Sequence, residues 1–147
     1  MSLSPINISR HLYDHFRILL SAVQSASLSD AIVQVNYDKR ERDVPLERNV
    51  AMAIVAMKSI QSILNDIEVS NAATPLMSIQ LQATMDPHSE HQSSFATSFG
   101  RELWFCCSHA THHYALIKAI CYELGVSTPG EFGVAPSTLR SQQGKNM

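Results

Sequence analysis

The stretch Ser108–Ile117, SHATHHYALI, carries His109, His112 and His113. Neutral imidazole is a good ligand for Zn²⁺ and Ni²⁺. Residues four apart on a helix stand about 5–6 Å apart at Cβ, so two imidazoles at that spacing can converge on one cation. An ideal helix turns about 100° per residue. With Phe99 as zero, Leu103, Ala110, Tyr114, Ile117, Cys121 and Leu124 fall within about 60° of it and define an apolar face. His113 lies at about −40° and His109 at about −80°, on the flank of that face, whereas His112 lies at about −140°. His109 and His113 therefore form a pair, and His112 belongs to another surface. A bare His-x-x-x-His fits hydrogen-bonded histidines better than a metal site. Ala110 follows His109, so the glutamate base of a metalloprotease helix is missing.

Two ligands make an incomplete site. Catalytic zinc takes three protein ligands and keeps one position open. A third is sought in RHLYDHF near the N-terminus, which holds His11, Asp14 and His15. The apolar stripe of that segment centres about 90° from His11, with His15 at about 40°, so both histidines border the core face. Periodicity slightly favours His15 as the inward residue and leaves the choice open. Asp14 reads as an exposed acid, or as an acceptor that orients a ligand imidazole. His88 and His91 lie in DPHSEH, a turn, and are expected to be solvated.

These residues need helices to hold them. Ile8, Leu12, Phe16, Leu19 and Val23 predict a helix over 5–25, capped by Ser4 with Pro5 as its first residue. Met57, Ile60, Leu64 and Ile67 predict a second over 49–67, capped by Asn49. A third is expected from Ser98 or Phe99 to Leu124, stopped by Gly125. Between them, Ser29 could cap a short helical turn through Ala31 and Val33. MSIQLQATM alternates apolar and polar residues as a half-buried strand does, and SSFATS is its returning partner. The expectation is a mainly all-α bundle of three long helices and a short one, with a small β-hairpin before the last long helix. It is read as one domain over residues 1–147, with about 141–147 a disordered tail.

Composition narrows the function. The chain has 147 residues, 45% apolar and 16% charged, with a formal net charge of −2. That is a folded composition with no electrostatic bias toward nucleic acid. No signal sequence and no apolar run approaching about 20 residues is read, which excludes membrane insertion and points to the cytoplasm. Cys106, Cys107 and Cys121 are an odd, bunched set and are read as reduced thiols, with Cys106 and Cys121 on the core face. Arg40 and Arg42, in YDKRERD, suit an anionic substrate or a solvated charge run.

His11-Leu12-Tyr13-Asp14 on an early helix and His109 to His113 on a later one resemble the DinB/YfiT-like metalloproteins. YDKRERD and FGVAPSTLR look like features of a small branch of that family, and the resemblance runs from about Ser4 to Arg140. It implies a four-helix-bundle-like fold and one divalent transition metal, zinc or nickel, held by His11, His109 and His113. His15 is then the substitute ligand, Asp14 a supporting residue and Tyr114 a pocket residue. The implied activity is a metal-dependent thiol S-transferase or hydrolase acting on a small-molecule substrate, with a low-molecular-weight thiol as a second cofactor. The metal would activate water or that thiol. The alternative is a non-catalytic stress or interaction module with a structural or vestigial metal site. A homodimer is implied in either case.

Overall fold

The structure is a computed structural model that describes residues 5–26, 32–39 and 49–144. Helix α1 spans Pro5–Ser25. Its apolar stripe buries Ile8, Leu12, Leu19, Leu20 and Val23. Because that stripe widens toward its C-terminal half, α1 can pack against more than one neighbour. It lies against helix α2 (Val50–Ser70), helix α3 (Phe99–Glu123) and strand β1 (Val33–Asn36).

The expectation of an all-α bundle is corrected here. The described elements are four helices and a three-stranded mixed sheet, which makes the fold α/β. Val33 and Val35 form a strand instead of ending a short helix. Both are β-branched and buried, while Gln34 between them is exposed. That period of two is what a sheet needs. The Ser29 cap and Ala31 lie outside the described residues. Strand β1 pairs in parallel with β2 (Ser78–Ala83), Val33 opposite Ile79 and Val35 opposite Leu81. β2 then pairs antiparallel with β3 (Ser93–Ser98), from Ser78 opposite Ser98 to Ala83 opposite Ser93. The hairpin is thus two thirds of a sheet whose third strand comes from before α2.

Local signals set the helix ends. The Asn49 side chain accepts from the Met52 amide at 3.2 Å and starts α2. Asn71 closes it in the left-handed conformation, φ 51°. The Ser98 hydroxyl accepts from the Arg101 amide at 3.3 Å, so β3 turns into α3 without a linker. Helix α4 spans Pro136–Gln143 and reaches into the stretch read as a tail. The core joins Leu19, Leu20 and Val23 to Val33, Val35, Ile60, Ile67, Ile79, Phe99 and Cys106. Burying one such aliphatic side chain contributes about 1.5–3 kcal/mol.

Helix α2 bears on the expectation about membranes. Its 21 residues, with a mean hydropathy of 1.3 in the most apolar window, are long and apolar enough to cross a membrane by length and composition. Within this fold Ile60 and Ile67 are its buried residues, while Val50, Met52, Ile54, Val55 and Val69 are exposed.

Candidate metal centre

Where α1 crosses α3, His11 meets His109 and His113. The His109 Nε2 lies 2.9 Å from the His11 Nε2 and 3.2 Å from the His113 Nε2. One ligand atom from each residue falls within 4.8 Å of the other two, and all three side chains are half-buried. A neutral imidazole carries one N–H and one lone pair. Three ring nitrogens this close share protons between tautomers, or turn their lone pairs to one cation. Zn–N bonds of 2.0–2.1 Å in tetrahedral array put ligand nitrogens about 3.3 Å apart. The two observed contacts sit near that spacing, so the donor set fits one transition ion.

The surroundings favour neutral rings. Burial, followed by the nearby His15, His113 and His112, pushes the His109 pKa down to about 4. His113 is lowered too, by burial and then by His112 and His15. Both are therefore unprotonated near neutrality, the form that binds metal. The Nδ1 of His113 is buried with no hydrogen-bond partner among the described residues. Were Nε2 turned to an ion, Nδ1 would carry the proton, and no acceptor for it lies among the described residues.

His15 stands behind this group. Its Nδ1–H donates to the His11 carbonyl at 2.9 Å, which fixes the tautomer, since a carbonyl can only accept. Its ring centroid lies 4.6 Å from those of both His11 and His109. Asp14 is buried, not exposed, and faces Arg10 at 3.4 Å and Arg17 at 3.5 Å. Two guanidiniums thus more than offset its single negative charge. Tyr114 stacks on Phe132, ring centroids 5.0 Å apart, and pins the C-terminal loop to α3. Gly133, φ 72°, passes so close to Tyr114 and Ala115 that a Cβ there would lie 2.5 Å from the Ala115 nitrogen. His112, His88 and His91 are exposed. Arg40 and Arg42 lie outside the described residues.

Sequence reasoning missed four residues that shape this centre. Phe105 stacks on His109 at 5.5 Å, and the Arg101 guanidinium lies over Phe105 at 5.4 Å. Tyr37 stacks on His15 at 5.1 Å. Glu102 is 0% exposed and accepts from the Tyr37 hydroxyl at 3.1 Å. The available signal for Glu102 was its position about −60° from Phe99, a carboxylate on an apolar helix face. For Tyr37 it was the boundary of YDKRERD, where an aromatic residue follows an apolar strand. Cys106 is buried beside Tyr37, 3.8 Å from its hydroxyl, and burial pushes its thiol up to about 12. It is a core residue and not a nucleophile.

Along the other side of α3 runs a groove of about 550 Å³ between α3 and α4. Trp104, Cys107, Thr111, His112, Gly133 and Pro136 line it.

No family model matches the chain, and no solved structure matches it. A curated relative does: FK506-binding protein 5 of Rhizopus delemar is 46% identical over 112 residues, which are 76% of this chain. The matched segment spans 28% of that relative's length. This finding overturns the DinB/YfiT-like resemblance. The metal-dependent S-transferase or hydrolase activity and the stress-module alternative, which rested on that resemblance, fall with it. What this chain is similar to is a segment of a protein named for FK506 binding.

Proposed function

We propose that this chain is a binding module whose centre holds one divalent transition ion, Zn²⁺ or Ni²⁺, through His11, His109 and His113. The observation that supports this most is the 2.9 and 3.2 Å approach of three Nε2 atoms from two helices. Three nitrogen ligands leave a tetrahedral ion one further position, which water or a low-molecular-weight thiol could fill. The chain's own part is to keep the rings neutral, oriented and partly shielded. His15 and Phe105 pack against His109, and burial lowers its proton affinity.

The test is metal analysis and Zn²⁺ titration of protein purified without a histidine tag. About one ion per chain is expected, with binding lost when His11, His109 and His113 are all changed to alanine. Equal uptake by the wild type and the triple variant would refute the reading.

A second reading comes from the relative's name, FK506-binding protein 5. The open groove beside Trp104, about 550 Å³, falls in the size range of small-molecule sites. Trp104 is the only tryptophan in the chain, so its fluorescence reports on that groove. Saturable quenching by FK506 supports this reading, and no change up to the solubility limit removes it.

A further inference from the structure

Glu102 is a fixed point. Its Oε1 accepts from the Thr97 hydroxyl at 2.9 Å and from Arg101 at 2.8 Å. Its Oε2 accepts from the Tyr37 hydroxyl at 3.1 Å. Thr97 belongs to β3, Glu102 to α3, and Tyr37 follows β1, so three elements meet on one buried carboxylate. Burial, then Cys106 and Glu102, raise the phenol above its usual value, so Tyr37 stays a donor at any physiological pH.

The ring of Tyr37 extends this fixed point toward the histidines. It lies 23° from parallel with the His15 ring, at 5.1 Å. His15 is held at its other end by the bond from Nδ1 to the His11 carbonyl. Held on both sides, His15 presents its ring at 4.6 Å to His11 and at 4.6 Å to His109. Those are the two residues that make the 2.9 Å contact between helices. Ligand rings in metal sites are commonly oriented by a hydrogen-bonded carboxylate. Here Asp14 faces arginines, and the carboxylate that reaches the centre does so through two stacked rings.

We propose that Tyr37, anchored by Glu102, is a positioning residue of the three-histidine centre and acts through His15 on His11 and His109. The inference rests on the metal-binding reading above. Loss of a hydrogen-bonded outer partner costs about 10–100-fold in metal affinity, and a support that acts through ring stacking should fall at the lower end of that range.

Co²⁺ titration of the full chain, read by visible absorption, tests it. Tyr37→Ala should weaken Co²⁺ binding by about tenfold or more and shift the absorption band. Tyr37→Phe keeps the stack but loses the bond to Glu102, and should fall between the wild type and Tyr37→Ala. A merely structural Tyr37 would lower the melting temperature and leave the band of the folded protein in place. Folded Tyr37→Ala with wild-type affinity and band would overturn the proposal. If that variant does not fold, an unchanged affinity and band in Tyr37→Phe would overturn it. A wild type that takes up no Co²⁺ would instead remove the metal-binding reading, and this inference with it.

Discussion

Helix α3 carries histidine, cysteine and aromatic residues on two sides, and the two sides differ in every property that matters for chemistry. Toward α1, Phe105, Cys106, His109 and His113 are buried or half-buried and packed among rings. Toward α4, Trp104, Cys107 and His112 are exposed, and Trp104 leaves 66% of its surface to solvent. Each side has an aromatic residue, a cysteine and a histidine, so residue type does not explain the contrast. What separates them is the neighbour. α1 brings His11 and His15 to one side, whereas α4 leaves an open groove on the other. Cys106 and Cys107 adjoin in sequence, as do His112 and His113, yet each pair is divided between the two environments.

Four tests should break or sharpen that contrast. The largest effect is expected at the ligands. His109→Ala should abolish stoichiometric Zn²⁺ binding in a calorimetric titration, while His112→Ala should leave it within about twofold. Next is packing. Phe105→Ala should lower stability in urea denaturation by about 2–3 kcal/mol, less than a fully buried phenylalanine because Phe105 is half-buried. Trp104→Ala, on the exposed side, should stay within about 0.5 kcal/mol. Equal costs at the two positions would contradict the burial contrast.

The third is pH. In metal-stripped protein the His109 pKa, about 4, lies below the 6.5 of the unfolded chain, so the unfolded state binds the extra proton. The contribution of neutral His109 is fully present above pH 6.5 and is lost as pH falls toward 4. His109→Ala should therefore flatten the pH dependence of the melting temperature between pH 6.5 and 4, and His112→Ala should do so much less, because burial is the larger cause of the shift. The smallest is reactivity. Iodoacetamide at pH 8 should label Cys107 in native protein and leave Cys106 unmodified. Burial raises both thiols, and Cys106 is pushed up to about 12 and is 1% exposed. Early labelling of Cys106, followed by mass spectrometry, would show that this side of α3 is open.

The three long helices and β2 were legible because each carries a sustained period, of 3.6 or of two, and β3 was legible as the stretch that returns after the DPHSEH turn. The inward flank of His109 and His113 was legible for the same reason. Strand β1 was not. Four residues are too few to show a period, and its partner in the sheet lies more than 40 residues away, so nothing local announces the pairing. That single strand turns an expected bundle into an α/β fold. The first-helix histidine was undecided for a related reason. His11 and His15 both border the apolar stripe of α1, and only the position of α3 brings the His11 Nε2 to His109. Tyr37 and Glu102 escaped because their partnership crosses three elements. The family resemblance failed for a different cause. Two short histidine motifs can be satisfied by any pair of crossing helices, whereas 112 aligned residues constrain 76% of the chain.

The central claim, that three imidazoles from two helices share one ion, is tested most directly by diffraction at the zinc absorption edge on crystals of the tag-free, zinc-loaded protein. The prediction is one anomalous peak about 2.0–2.1 Å from a ring nitrogen of each of His11, His109 and His113. A peak bound by fewer than three of them, or density only at His88, His91 or His112, would contradict it.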